Sequence, residues 1–198
     1  MGLLFLVGYM GCGKSTLGRR LARRLEVPFV DTDTMVETRE GASVSDLFRY
    51  EGEQRFREME REVLEQAISE HESAVISTGG GLPVWHDNME RMNAAGRTIY
   101  LRRTAENIAG RLSPYGRRKR PRLRGLDDEQ LVIFMRQDIA SRDPFYGRAK
   151  LVIECDPLSD EEIVARILGS GAVPEAPATR PESADRAAAA EKNDPTQR

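Results

Sequence analysis

Short apolar runs alternate with longer segments of helical periodicity along most of this 198-residue chain. The apolar runs have the length and composition of strands and lie at residues 3–7, 29–30, 74–76, 98–101 and 151–153. Because helical segments separate these runs, the pattern predicts an α/β fold with three layers. Helices would flank a central five-stranded parallel sheet.

Three segments carry clear helix signals. Over residues 53–70, apolar side chains recur near helical spacing while Glu and Arg occupy the other positions. Acidic residues open a second helix over residues 127–142, which we expect to end before Pro144. Residues 159–162 have the capping-box pattern of a last helix that ends near Gly169.

The composition changes near the end of the chain. Residues 170–198 are rich in Ala, Pro, Glu and Arg and include almost no large apolar residue. Such a segment buries too little apolar surface to offset the entropy of ordering. We therefore expect a single domain over residues 1–169, followed by a disordered tail.

Charge and cysteine content exclude several classes of protein. A formal net charge of −2 creates no long-range attraction for nucleic acid or an anionic membrane. The N-terminal apolar run is too short for a signal peptide or a membrane span, which predicts a cytoplasmic protein. Cys12 and Cys155 lack the spacing of a disulfide framework or a metal site. No spare apolar helix face stands out, so we expect a monomer.

The first strand leads into the sequence GYMGCGKS at residues 8–15, which is a Walker A phosphate loop. Its glycines let backbone N–H groups turn inward around phosphate oxygens, where a Cβ would obstruct the turn or the ligand. Lys14 adds a positive charge, Ser15 offers a hydroxyl to Mg²⁺, and the next helix points its positive dipole end at the phosphates. We interpret the Cys12 side chain as a small filler. The residues predicted to bind ATP in this loop are Gly11, Cys12, Gly13, Lys14, Ser15 and Thr16.

Asp31 and Asp33 follow the second predicted strand. Ligands in parallel sheets bind beyond the carboxyl ends of the strands. In extended backbone both carboxylates would project to the same side. One could hold Mg²⁺ through its water shell opposite Ser15, and the other could orient the hydroxyl of an acceptor. Alternatively, Asp33 only caps the next helix. The Walker A loop upstream favours the catalytic interpretation.

Three consecutive glycines, Gly79, Gly80 and Gly81, follow the third predicted strand. They leave the backbone open, so a ligand can closely approach the peptide N–H groups. The alternative is a flexible turn. Three glycines would destabilise an ordinary turn, because each loses more backbone entropy on folding than any other residue. We therefore predict a ligand contact here.

Residues 117–124 contain six basic side chains in eight positions between Gly116 and Gly125. Alone, such a run is usually a solvated loop, with a nucleic-acid patch as the next interpretation. Beside a phosphate loop we favour a lid, here called the lid segment, at residues 112–125. A lid can close over the nucleotide and bring an arginine to the transferred phosphoryl group.

Arg57 and Arg142 have no distinguishing spacing of their own. Arg57 lies beside Phe56 at the edge of an apolar stripe, and Arg142 lies near the end of its helix. Most arginines in such places are surface residues or pair with helical carboxylates. The residues alone leave both roles open.

Six ordered motifs across residues 1–169 together resemble the shikimate kinase family. They are GxxGxGKST from Gly8, DTD from Asp31, GExxFRxxE from Gly52, SxGGG from Ser77, RP at Arg120 and RxPxY from Arg142. The resemblance implies a nucleoside-monophosphate-kinase-like P-loop fold with a mobile lid and a small substrate-binding subdomain near residues 31–61. It also implies that ATP phosphorylates the 3-hydroxyl of shikimate, giving ADP and shikimate 3-phosphate, in chorismate and aromatic amino acid biosynthesis.

On the donor side, the resemblance implies that Lys14 contacts the β and γ phosphates. It also implies that Ser15 binds Mg²⁺, the cofactor, and that Asp31 holds the water shell of the metal. Arg120 is implied to be the catalytic lid arginine that faces the ATP phosphates, and Arg111 to flank adenine. The chain reads Arg-Pro-Arg-Leu-Arg from Arg120, where the family more usually has Arg-Pro-Leu-Leu.

On the acceptor side, the resemblance implies that Asp33 binds the shikimate hydroxyls and is the candidate catalytic base. Arg57 and Arg142 are implied to grip the substrate carboxylate, a task that suits the guanidinium group. The backbone of Gly80, within the three glycines, would help to position the ring.

Two other functions are alternatives to a shikimate kinase. One differs from it in substrate, and the other differs in class. One is another small-molecule kinase of the same fold, such as gluconate kinase, whose acceptor is also a hydroxy acid. The other is a non-catalytic ATP-binding module that uses its basic loop to hold RNA or a protein. The paired contexts of Arg57 and Arg142 favour shikimate over gluconate. The acidic overall charge argues against an RNA-binding module.

Overall fold

The computed structural model describes residues 2–113, 116–117 and 120–171. Within these ranges the strands are β1 (Leu3–Val7), β2 (Phe29–Asp31), β3 (Ala74–Ser77), β4 (Gly96–Arg102) and β5 (Leu151–Glu154). They form a parallel sheet in the order β2-β3-β1-β4-β5. The predicted five-stranded parallel sheet is therefore confirmed.

Helices connect the strands, as parallel pairing requires. Those with described bounds are α1 (Lys14–Leu25), α2 (Thr32–Glu40), α3 (Val44–Tyr50), α4 (Gly52–Glu70), α5 (Asn88–Ala95), α6 (Ala105–Arg111), α7 (Asp128–Tyr146) and α8 (Asp160–Gly169). Short 3₁₀ turns lie at Leu82–Val84 and Pro121–Leu123.

The main core lies around the central strand, β1, in which all five residues are buried. A parallel sheet covered by helices needs apolar side chains on both faces, which is why β1 reads as a continuous apolar run and not as an alternation. A second, smaller cluster packs α2, α3 and α4 together. Its buried residues are Val36, Leu47, Phe56, Met59 and Val63.

Helices α7 and α8 begin with capping boxes. In α8, Ser159 accepts a hydrogen bond from the Glu162 N–H, and the Glu162 carboxylate accepts one from the Ser159 N–H at 2.8 Å. In α7, Asp127 and Gln130 make the same reciprocal pair. The predicted start of α8 is confirmed, as is its end at Gly169.

The predicted end of α7 is wrong. The helix passes through Pro144 and ends at Tyr146, where the Gly147 N–H donates to the Asp143 carbonyl at 2.8 Å. A proline within a helix removes one backbone hydrogen bond and crowds the preceding turn. The Tyr146 side chain is fully buried and donates to the Gly80 carbonyl, so tertiary contacts hold the final turn in place.

No helix in the described part of the chain is long and apolar enough to span a membrane. The predicted disordered tail lies almost entirely in residues 172–198, outside the described residues. Residues 114–115 and 118–119 of the predicted lid segment also lie outside them.

Candidate active site

The phosphate loop connects β1 to α1. Gly8, Gly11 and Gly13 have φ angles of 142°, 81° and 107°. Residues with a Cβ rarely adopt backbone conformations with such positive φ angles, so the loop depends on glycine at these positions. Gly13 is the N-cap of α1, and residues 13–16 line a cavity at the N-terminus of that helix. The helix therefore presents its positive dipole end to the cavity.

Lys14 and Cys12 are both buried within this loop. The Lys14 ammonium group donates to the carbonyls of Gly8 at 2.8 Å and Tyr9 at 3.0 Å, and the residue lines the cavity. Cys12 is fully buried in the main core, as expected for a filler. Its carbonyl accepts a hydrogen bond from Arg103 Nε at 3.0 Å. Arg103 is itself buried. Its hydrogen bond therefore holds the phosphate loop against the interior of the protein.

Asp31 lies directly opposite Ser15. The Ser15 hydroxyl donates to Asp31 Oδ2 at 2.7 Å and lies 3.4 Å from the hydroxyl of Ser77. Three side chains with hard oxygen atoms thus meet where β2 and β3 end and α1 begins. Oxygen ligands of this kind suit Mg²⁺ when phosphate oxygens complete the coordination.

The prediction that Asp31 and Asp33 project from one side of an extended strand is wrong. Strand β2 ends at Asp31, and Thr32 and Asp33 already belong to α2. Asp31 is the N-cap of that helix and accepts a hydrogen bond from the Thr34 N–H. The capping role considered for Asp33 therefore belongs to Asp31. Both carboxylates line the same cavity nonetheless, because the first turn of α2 points Asp33 inward.

Asp33 lies beside a buried carboxylate, that of Glu60 on α4. A Cβ on Gly79 would overlap both carboxylates, which shows how closely they pass this glycine. Burial, reinforced by the Asp31 carboxylate, raises the pKa of Asp33 from 3.8 to about 6. Burial also raises the pKa of Glu60 from 4.5 to about 7, although Arg57 opposes the shift. Both groups titrate near neutral pH.

Arg57 is held by carboxylates on its own helix. Its guanidinium donates to Glu60 and, at 3.1 Å, to Glu53. Its side chain is only 13% exposed. A Cβ on Gly81 would overlap the Arg57 guanidinium, so a larger residue there would displace this side chain.

Arg142 approaches the same place from α7. Its Nη1 donates to the Gly80 carbonyl at 3.3 Å, and its Nη2 lies 3.1 Å from Asp138 Oδ2. The Tyr146 hydroxyl also donates to the Gly80 carbonyl, at 2.5 Å. Gly80 is therefore fixed by two side chains of α7 through its carbonyl oxygen.

The Gly79 N–H makes a hydrogen bond within the protein. Its N–H donates to Thr32 Oγ1 at 2.9 Å. The expectation that peptide N–H groups of this turn contact a ligand therefore rests on Gly80 and Gly81. The close approach of charged side chains to Gly79 and Gly81 gives a second reason for glycine in this turn.

Two cavities meet at this edge of the sheet. The smaller one, of 390 Å³, lies over the phosphate loop, and the larger one, of 620 Å³, lies between α3, α4 and α7. Both are lined by Met10, Asp33, Gly80 and Arg120. We call them the donor cavity and the acceptor cavity. Of the residues predicted to bind ATP, those that line the donor cavity are Gly11, Gly13, Lys14, Ser15, Thr16, Arg111 and Arg120.

The residues predicted to bind the acceptor come together in the acceptor cavity. Those that line it are Asp33, Arg57, Gly79, Gly80, Gly81 and Arg142. Segments more than a hundred residues apart in sequence thus supply one surface. The guanidinium of Arg120, at the junction, donates to the Gly116 carbonyl at 2.5 Å, and Arg111 lies 3.5 Å from Asp160 at the start of α8.

Glu60 and Asp138 are site residues to which sequence reasoning gave no role. Each carried a weak signal. Glu60 follows Phe56 by four residues and so lies on the buried face of α4, an unusual place for a carboxylate. Asp138 precedes Arg142 by four residues, a spacing that allows an ion pair on one helix face.

A model of the protein family described as shikimate kinase matches residues 10–170 of this chain. The chain belongs to the shikimate kinase family. A shikimate kinase from Bacteroides thetaiotaomicron is 44% identical over 157 residues, which is 79% of this chain and 89% of that protein. Membership in this family accounts for the order of the six motifs along the chain.

Solved structures of shikimate kinases share the fold. The crystal structure of the enzyme from Bacteroides thetaiotaomicron matches with a TM-score of 0.79 at 39% identity, covering 87% of this chain and 99% of that one. The enzyme from Acinetobacter baumannii in complex with shikimate matches with a TM-score of 0.76 at 32% identity, covering 86% and 92%. A gluconokinase from Sinorhizobium meliloti, at 17% identity and a TM-score of 0.51 over 85% and 90%, shares the fold alone.

Proposed function

We propose that this protein transfers the γ-phosphate of ATP to the 3-hydroxyl of shikimate, giving ADP and shikimate 3-phosphate. The observation that carries the proposal is the junction of the two cavities. The phosphate loop lines one cavity, Arg57 and Arg142 are among the residues that line the other, and Asp33 and Arg120 lie where the two cavities meet. A hydroxylated, anionic acceptor in the larger cavity would meet the γ-phosphate at this junction.

The acceptor cavity suits a small hydroxy acid with one carboxylate. Arg57 and Arg142 offer guanidinium groups, which bind carboxylates with paired hydrogen bonds. Asp33 offers an acceptor for the hydrogen bond of a hydroxyl group. The complex of shikimate with the related enzyme from Acinetobacter baumannii supports this choice of ligand for the present chain.

Mg²⁺ fits the donor side of the site as cofactor. Ser15 and Asp31, whose oxygen atoms are 2.7 Å apart, would hold the ion directly and through its water shell. When bound, the ion neutralises charge on the β and γ phosphates. Lys14 contributes a second positive charge from the phosphate loop.

The transfer follows from these positions. A bond forms between the acceptor oxygen and the γ-phosphorus, while the bond from that phosphorus to the β–γ bridging oxygen breaks and releases ADP. The proton of the acceptor hydroxyl passes to Asp33, which is mostly ionised at pH 7 because its pKa is about 6. Lys14 and Arg120 stabilise charge on the equatorial oxygens of the transferred group.

The test is ADP release by the purified chain with ATP and Mg²⁺, against shikimate, gluconate, AMP or water alone. We expect strong preference for shikimate and a phosphate ester at its 3-position by ³¹P NMR. A Lys14→Met variant purified in the same way controls for contaminating kinases. Preference for gluconate would favour the other kinase, and salt-sensitive RNA binding without ADP release would favour the non-catalytic module.

Several finer assignments are part of the same proposal. Residues 1–169 would be the catalytic domain, with a substrate-binding part near residues 31–61 and a mobile lid over residues 112–125. We propose ATP and shikimate as the small-molecule partners, with no nucleic acid or membrane partner. The monomeric state and the cytoplasmic location stay predictions.

A further inference from the structure

Arg103 lies directly after β4, at the carboxyl edge of the sheet. Because β4 runs between β1 and β5, this position separates the phosphate loop from the loop that follows β5. The Arg103 side chain is only 1% exposed. Arginine is almost never buried to this extent unless it is paired, so its contacts indicate its role.

The Arg103 guanidinium donates hydrogen bonds to main-chain carbonyls on both sides of β4. Its Nε donates to the Cys12 carbonyl at 3.0 Å. Its Nη1 donates to the Cys155 carbonyl and to Asn107 Oδ1, each at 3.0 Å. Because the guanidinium is planar and rigid, these hydrogen bonds fix the phosphate loop relative to the loop after β5.

The hydrogen bond to Cys12 determines how the next peptide group is oriented. In a planar trans peptide, the carbonyl of one residue and the N–H of the next residue point in opposite directions. Cys12 is fully buried and its carbonyl points to Arg103, whereas Gly13 lines the donor cavity. The Gly13 N–H is thereby directed away from Arg103, toward the side on which phosphate oxygens would lie.

Glycine makes this orientation reversible. Gly13 has a φ angle of 107°, and a flip of the Cys12–Gly13 peptide would bring it to a negative φ, which glycine adopts about as readily. The flipped peptide would present the Cys12 carbonyl oxygen to the cavity in place of the Gly13 N–H, and that oxygen would repel a phosphate group. The orientation that suits phosphate therefore depends on a partner that keeps the Cys12 carbonyl on the buried side.

We propose that Arg103 is a positioning residue for the nucleotide: its hydrogen bond to the Cys12 carbonyl keeps the Gly13 N–H directed into the donor cavity. A ligand with a diphosphate or triphosphate group then meets a donor that is already oriented, so binding does not have to supply the free energy of reorienting the loop. Asp156 and Asp160, whose carboxylates lie 3.9 Å and 4.0 Å from the guanidinium, compensate the buried charge. The inference rests on the donor half of the proposed function, because it takes the ligand of the phosphate loop to be a nucleotide.

The test is calorimetric titration of ADP, and separately of shikimate, into the full chain and its variants. Arg103→Met keeps most of the apolar stem and removes the donors. We expect the Kd for ADP to rise at least about tenfold, as for the loss of one hydrogen bond to a charged group. The Kd for shikimate should change by less than about twofold, since other residues line the acceptor cavity.

Arg61→Met is the matched control for the loss of a partly buried arginine. The Arg61 side chain is 23% exposed and pairs with Asp87 and Asn88 at the start of α5. Both substitutions should lower the free energy of unfolding in urea. Only Arg103→Met should weaken ADP binding.

The orientation of the Gly13 peptide can be observed directly by NMR. The chain contains 17 glycines, so selective ¹⁵N-glycine labelling gives a spectrum simple enough to assign. Without ligand, we expect the Gly13 amide signal of Arg103→Met to shift or to broaden through exchange, while that of Gly147, at the end of α7, stays as in wild type. In Arg61→Met both signals should match wild type, because a loss of global stability alone does not reorient this peptide.

Arg103→Lys provides a second variant if Arg103→Met does not fold. It keeps the buried positive charge, but its single nitrogen cannot replace Nε and Nη1 together. We expect the Kd for ADP to rise about threefold or more, with a change in the Gly13 signal of the same kind.

Two results would overturn the inference. One is a wild-type ADP Kd and Gly13 signal in folded Arg103→Met or, where that variant does not fold, in Arg103→Lys. The other is a shikimate Kd that rises as much as the ADP Kd, which would indicate general damage. If the wild-type chain binds ADP but does not phosphorylate shikimate, the proposed function fails, and the ADP titrations still decide the role of Arg103.

Discussion

Asp33 stands where the donor and acceptor cavities meet, among charges of both signs. Burial and the Asp31 carboxylate raise its pKa, while Lys14 and Arg57 oppose the shift. The resulting value of about 6 leaves the group ionised at neutral pH. It is also more basic than an ordinary aspartate, so it accepts a proton more readily.

Asp33→Asn should lower turnover at least about 10²-fold, the low end for loss of a general base, with little change in ATP affinity. In the wild type, kcat/KM for the acceptor should fall as pH drops below about 6, because protonated Asp33 cannot accept the hydroxyl proton. The measurement is initial rate against acceptor concentration between pH 5 and 8. Near-normal turnover in Asp33→Asn would remove this residue from the mechanism.

Glu60 should make stability depend on pH. Burial raises its folded-state pKa from 4.5 to about 7. The folded chain therefore holds this proton more tightly than the unfolded chain does. The contribution of this bound proton to the free energy of unfolding is fully present below pH 4.5 and is lost as pH rises through 7. Glu60→Gln lacks this titrating group, so it should not show the same loss. As pH rises from 5 to 8, its free energy of unfolding should increase relative to that of wild type by on the order of 2 kcal/mol.

Urea unfolding at both pH values measures this difference. Glu53→Gln is the matched control, because Glu53 pairs with the same Arg57 but its side chain is 71% exposed. Its difference from wild type should hardly vary with pH. Equal pH dependence in Glu60→Gln and wild type would contradict the raised pKa.

At the scale of whole elements, helix ends position much of the site. The first turn of α2 carries Asp33 into the cavities while Asp31 caps that helix and reaches Ser15. The last turn of α7, which continues through Pro144, brings Tyr146 onto Gly80. Short shifts of a helix boundary therefore decide which side chains reach the ligand.

Ser159→Ala should lower the free energy of unfolding by about 1 kcal/mol, because it removes the N-cap of α8 and one half of its capping box. Ser159→Thr keeps a hydroxyl acceptor and should cost much less. Chemical denaturation of both variants measures the difference, and kcat should not change. Equal losses in the two variants would mean that the cap contributes little.

At the scale of the molecule, the sheet order assembles the site. Strands β1 and β3 are neighbours at its centre, so the phosphate loop and the three glycines emerge side by side. Helix α7 then supplies Arg142 from a segment far along the chain. Both cavities lie at this carboxyl edge, as expected for a parallel sheet.

Removal of residues 172–198 should leave kcat and the thermal midpoint of unfolding nearly unchanged. The family model ends at residue 170 and α8 ends at Gly169, so the parts that build the site precede the cut. Thermal unfolding and initial rates of the full and shortened chains provide the comparison. A loss of activity or of thermal stability would give the tail a role in the domain.

Local patterns in the sequence determined the phosphate loop, the five strands and the capping box at Ser159, because each depends on residues that are neighbours along the chain. The sequence also selected Asp31, Asp33 and the three glycines, since parallel strands end at one edge. Only the tertiary structure decided that α7 passes Pro144 and that Asp31 is the cap of α2. Burial against distant segments likewise raises the pKa values of Asp33 and Glu60. Burial of this kind arises only when the chain folds.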